Sequence, residues 1–139
     1  MTINYKCFNG FNKEIKKKYS TDGGLDLPLP SSLSIRPFET AAIPLGVGFE
    51  IPLGYIGYLV PRSSIAKKGL IIHPALIDPG YTGEIHCIVT NCSAERYNFN
   101  EGDRLCSLVI ISAVDIALNK VENFAESERG ENRFGSTGK

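Results

Sequence analysis

The sequence predicts an all-β fold. Three observations carry that expectation. About ten short apolar segments recur at intervals of roughly 8–12 residues, each bounded by turn residues. Fourteen glycines and eight prolines, 22 of 139 residues, punctuate the chain far more often than a helical bundle tolerates. No stretch carries a 3.6-residue apolar period long enough for an extended helix.

The elements follow in order. Residues 1–10 have room for an edge strand. Lys13, Lys16, Lys17 and Lys18, with Glu14 among them, read as a solvated loop or a short helical turn. Leu25–Leu29, Leu33–Ile35, Thr40–Ile43 and Val47–Ile51 are short apolar runs between Pro/Gly turns. Tyr55–Val60 reads as a strand, and Ser64–Lys68 as one helical turn. Leu70–Ile72 and Ala75–Ile77 are strands separated by His73-Pro74. Glu84–Thr90 alternates as a half-buried strand does. Tyr97–Phe99 leads into the turn Asn100–Asp103, and Leu105–Ile111 is apolar almost throughout, as in a central or fully buried strand. Ile116–Val121 is expected as a last short strand. No internal repeat appears. The organisation expected is one β domain over 1–124 and a flexible C-terminal arm over 125–139, where aliphatic residues nearly vanish.

Composition narrows the function. Fifteen basic and fifteen acidic residues cancel, which argues against a nucleic-acid coat or a polybasic membrane binder. A small anionic ligand needs only local positive groups. The longest apolar run, Leu105–Val114, is interrupted by Ser107 and Ser112 and falls short of the roughly 18 residues of a membrane span. No apolar leader follows Met1. Cys7, Cys87, Cys92 and Cys106 form no C-x-x-C pair and read as free thiols, most of them small core hydrophobes, in a reducing cytoplasmic compartment. His73 and His86 do not make a zinc site with such scattered cysteines.

Several segments carry the chemistry. Asp78 ends an apolar segment and precedes Pro79-Gly80, so a rigid turn holds its carboxylate where it can orient a water; a plain hairpin turn is the competing reading. Arg62-Ser63-Ser64 offers a guanidinium and two hydroxyls suited to phosphate, although an N-cap serine explains it equally well. Asp26 stands between two leucines and must be paired, hydrogen-bonded or near a metal. Asp103 and Arg104 form a turn whose charges are expected to pair locally. The tail holds Phe134 between an arginine pair and Gly135-Ser136-Thr137-Gly138, a ring able to stack on a base beside phosphate-binding groups. No P-loop, dinucleotide fingerprint or nucleophile elbow is present, so water attack on a phosphate ester or anhydride is favoured over covalent catalysis.

In this order the segments resemble the five motifs of the homotrimeric dUTP diphosphatases. They are Asp22–Leu27, Pro61–Ala66, Ala75–Ile85, Gly102–Leu108 and Arg129–Gly138, and the match runs from about residue 19 to 138. The resemblance implies a distorted β jelly roll and a homotrimer. Each active site would take its third motif from one chain, its first, second and fourth from a neighbour, and its tail from the third chain. It implies hydrolysis of dUTP to dUMP and diphosphate by water attack on the α-phosphorus, with Asp78 as general base. Tyr81 would pack under the deoxyribose, and backbone groups near Ala75 and His86 would read uracil. Arg62, Ser63 and Ser64 would hold phosphates. Arg129, Ser136 and Thr137 would reach the outer phosphates as Phe134 covers the uracil, and Gly135 would also belong to the substrate-binding set. Mg²⁺ would be held through phosphates and water, near Asp26 but not ligated by it.

The chain also departs from the family. Ala75, Ser107, Asn132 and Arg133 stand where the family has glycine, glutamine, glycine and glycine. Alanine at 75 would be strained if its φ were positive, and serine at 107 is too short for a direct phosphate-side contact. Two alternatives stay open. One is a catalytically weak homologue that acts as a nucleotide-binding or regulatory protein. The other is dCTP deaminase, a relative sharing the fold. Its acid–base glutamate would fall at Ile88, which cannot move a proton.

Overall fold

A computed structural model describes residues 1–127 and Gly130. Its elements are β1 (Asn4–Cys7), β2 (Gly24–Pro28), β3 (Leu33–Ile35), β4 (Thr40–Pro44), β5 (Val47–Glu50), β6 (Tyr55–Pro61), α1 (Ser63–Ala66), β7 (Leu70–Ile72), β8 (Ala75–Ile77), β9 (His86–Asn91), β10 (Tyr97–Phe99) and β11 (Arg104–Ser112). The expected all-β, jelly-roll-like architecture is what the chain adopts. One sheet orders its strands β2-β11-β6-β8 and another β4-β9-β7, while the ribbons β1-β5 and β10-β3 complete the layers. Every pairing is antiparallel.

The core lies between the sheets because one face of each strand is apolar. β9 shows this in full: Cys87, Val89 and Asn91 are buried and alternate with exposed or half-exposed neighbours. Leu59, Leu105, Cys106 and Leu108 enter from the other sheet. Truncating such a residue, Leu108→Ala for example, costs about 2–5 kcal/mol. Cys87 and Cys106 meet across the layers. Their mutual hydrogen bond, then burial, pushes the Cys106 thiol far above its ordinary range. Two of the four cysteines are buried and Cys7 and Cys92 are exposed, so half rather than most are core hydrophobes. Asn91 is the one buried polar residue among those described. Its amide donates to the carbonyls of Glu95 at 2.7 Å and Arg36 at 3.0 Å, and its Oδ1 accepts from Ser93, which fixes the loop after β9.

One expected element is not there. Ile116–Val121 is not a strand, and Ile116 and Leu118 are 71% and 91% exposed. The alternation is strand-like, but a strand exists only where a partner edge supplies its hydrogen bonds, and no edge among the described residues does. Leu105–Ile111 is a central strand as expected, yet only its inner face is fully buried; Ser107 and Val109 are half-exposed. No helix among the described residues is long and apolar enough to cross a membrane.

Candidate active site

Three of the sequence segments converge in one cleft of about 1280 Å³. β2 brings Asp26 and β11 brings Ser107, directly opposite each other in the register. The end of β6 brings Arg62, whose own N–H is held by the Leu105 carbonyl at 3.2 Å. Arg62 Nε sits 3.0 Å from Asp26 Oδ2, Arg104 Nη1 sits 3.7 Å from the same oxygen, and Ser107 donates to Asp26 Oδ1 at 2.5 Å. The carboxylate between two leucines is therefore paired and hydrogen-bonded, as its position demanded.

A bulge makes this convergence. Ser107 pairs Asp26 but Arg104 pairs Pro28, so β11 carries one residue more than β2 over that interval. Leu105 and Cys106 are consecutive and both fully buried. The extra residue reverses side-chain parity and puts Arg104 on the same face as Ser107. The expected local pair Asp103–Arg104 does not form: Asp103 accepts the Asn100 N–H at 2.8 Å, and Arg104 goes to Asp26.

Ser63 and Ser64 are exposed in α1 and line the cleft. Neither is the N-cap; Arg62 holds that position with no side-chain cap bond. The lysine run, expected to be merely solvated, also lines the cleft. Its position was not legible from spacing, because a coil segment has no period to place it.

The remaining candidates gather elsewhere. Asp78 follows β8 and is exposed. Its carbonyl, rather than its carboxylate, accepts the Tyr81 N–H at 3.2 Å across the turn at Gly80, whose φ of +86° suits glycine. Tyr81 Oη donates to the Glu84 carbonyl at 2.8 Å, which folds the ring against Gly83. Glu84 Oε1 accepts the Gly46 N–H at 2.9 Å, and a Cβ on Gly48 would overlap the Gly83 carbonyl oxygen, so the hairpin is docked on β5. Glu84 is a brace the sequence did not single out, since a lone hairpin glutamate carries no spacing signal. His86 lies opposite Pro44, with Nδ1 3.2 Å from the Glu84 carbonyl oxygen. Ala75 lies opposite Leu59 and is outside the left-handed region, so the strain considered for it does not arise.

Within one chain these two groups stand apart. Ile77 pairs Gly57 of β6, and Arg62 follows Gly57 by five residues. Asp78, one residue further and so beside Ile56, lies at the opposite end of β6 from Arg62, about 20 Å away at the rise of a strand. Arg129, Asn132, Arg133, Phe134, Gly135, Ser136 and Thr137 lie outside the described residues.

Comparison with known proteins places the whole chain. The chain is 39% identical over 127 residues to a deoxyuridine 5'-triphosphate nucleotidohydrolase of Anaeromyxobacter sp., covering 88% of this chain and 86% of that one. It is 36% identical over 125 residues to the Pol polyprotein of equine infectious anemia virus, of which it spans 11%. Its fold superposes on a mutant dUTPase of Staphylococcus bacteriophage 80alpha, solved with dUpNHpp, at a TM-score of 0.86 with 29% identity, covering 99% and 98% of the two chains. A mutant dUTPase from phage phi11 of S. aureus, solved for the coordination of a structural Mg(II) ion, superposes at 0.84 with 26% identity, covering 91% and 100%. The dUTPase family model matches residues 12–138, and the chain belongs to the dUTPase family.

Proposed function

We propose that this protein hydrolyses dUTP to dUMP and diphosphate. One observation carries the mechanism: an exposed carboxylate, Asp78, held on a braced hairpin at the far end of β6 from the guanidinium cluster. Asp78 accepts a proton from water as the water oxygen attacks the α-phosphorus. The bond from that phosphorus to the bridging oxygen breaks and diphosphate leaves. Arg62, Ser63 and Ser64 bind the phosphate chain as charged and neutral donors. Tyr81 presents its fixed ring to the deoxyribose, and backbone near Ala75 and His86 reads the uracil edge.

The separation of about 20 Å along a strand is too long for both groups to serve one α-phosphorus within a chain, which supports a homotrimer with sites shared between subunits. The outer face of the β6 sheet supports it too: Leu76 is 61% exposed beside Tyr58, and Ile111 lies beyond them. In this reading residues 125–139 form an arm that reaches a neighbouring site. There Arg129, Ser136 and Thr137 meet the outer phosphates, Phe134 covers the base, and Gly135 joins the substrate-binding set. Four cysteines without a disulfide suit an intracellular setting.

Asp26 does not fit as a direct metal ligand, because both its oxygens are engaged by Ser107, Arg62 and Arg104. Mg²⁺, when bound, would therefore be held by the substrate's phosphates and water rather than by Asp26, and would supply charge neutralisation there. The test is Asp78→Asn. Turnover of dUTP should fall by about 10²–10⁴-fold while dUpNHpp still binds. Near-parental turnover would remove Asp78 from the mechanism. Tight dUTP binding without turnover by the parent itself would point to a binding or regulatory protein.

A further inference from the structure

The chain is electrically neutral as a whole, yet the cleft is not. Seven basic side chains line it against three acidic ones. At the floor Arg62 and Arg104 share the single charge of Asp26, which leaves about one positive charge against a triphosphate carrying on the order of four negative charges. The rest of the positive potential comes from the rim, from Lys67 after α1 and from the run Lys16–Lys18.

That run is not a loose loop. Phe11 is buried and packs on the backbone of Gly46, and Ile15 is half-buried against the same core. These two anchors hold the intervening and following lysines over the cleft mouth. Lys13 is engaged by Glu101 at 3.0 Å and Lys16 by Glu14 at 2.6 Å. Lys17, Lys18 and Lys67 make no salt bridge with any described residue. Exposed ammonium groups of this kind act through their field, raising the local concentration of an oppositely charged ligand.

We propose that Lys17, Lys18 and Lys67 form an electrostatic rim that captures the outer phosphates of the nucleotide and favours the triphosphate over the monophosphate product. The inference rests on the proposed dUTP hydrolysis for its substrate, but its test does not need turnover. The intact protein and a Lys17→Gln/Lys18→Gln/Lys67→Gln variant are titrated calorimetrically with inorganic tripolyphosphate and with dUMP, at about 0.02 M and about 0.5 M salt. The variant should bind tripolyphosphate about tenfold more weakly at low salt and like the parent at high salt, with dUMP affinity changed less than about twofold. Equal tripolyphosphate affinities at low salt, a loss that persists at high salt, or no binding by the parent would each overturn the rim. A parent that binds tripolyphosphate with this salt dependence but never hydrolyses dUTP would sink the proposed activity and leave the rim standing.

Discussion

Ser107 of β11 donates its hydroxyl to Asp26 of β2 at 2.5 Å, and the same carboxylate holds Arg62 by its Nε at 3.0 Å. A serine read as too short for a direct phosphate-side contact is engaged with a carboxylate instead. It fixes the anion that fixes the guanidinium.

Removing that hydroxyl should be felt in binding. A hydrogen bond to a charged group is worth about 1.5–3 kcal/mol when buried, and this half-exposed one should carry about 1 kcal/mol. Ser107→Ala should therefore raise KM for dUTP about fivefold, and Ser107→Thr should restore it. A purely structural role would lower thermal stability and leave KM where it was. Steady-state kinetics with a melting curve on both variants decides between them.

The opposite placement of Asp78 and Arg62 predicts complementation. Asp78→Asn and Arg62→Ala should each be nearly inactive alone. Refolded together in equal amounts, they should regain about a quarter of the parental sites if chains assort at random into shared sites. A mixture no more active than its components would mean that each chain builds its own site.

Gly48 lies under the Gly83 carbonyl, so Gly48→Ala has to push the Asp78 hairpin outward. Overpacking of this kind costs about 1–3 kcal/mol. The urea midpoint should fall, and kcat should fall with it, since the displaced segment carries the proposed general base. Full kcat at reduced stability would show that the docking serves the fold alone.

Thiol reactivity reports the core. Cys7 and Cys92 are exposed, whereas Cys87 and Cys106 are buried and the Cys106 thiol is held protonated by its bond to Cys87 and by burial. A thiol reagent should modify two cysteines of the folded chain quickly and the other two only on unfolding. Four equal rates would contradict the packing of β9 on β11.

Much of the fold was legible before any coordinates. Leu33–Ile35, Leu70–Ile72 and Ala75–Ile77 have the bounds their flanking prolines, glycines and polar residues imply. The alternation of β9 and the centrality of β11 followed from apolar pattern alone. Ile116–Val121 shows the limit of that reasoning. Its pattern is a strand's, but a pattern records which residues tolerate a sheet, and the sheet edge has to come from somewhere else.

The site divides in the same way. The sequence by itself determined which side chains carry chemistry: a carboxylate after a rigid turn, a guanidinium with two hydroxyls, and a carboxylate that had to find partners. Only the tertiary structure decided who those partners are. The bulge in β11 turned Arg104 toward Asp26 instead of Asp103, and the register of β8 on β6 put Asp78 far from Arg62. Both outcomes depend on how strands pair across long stretches of chain. One inserted residue reverses every side chain beyond it, and no local spacing records where that insertion falls.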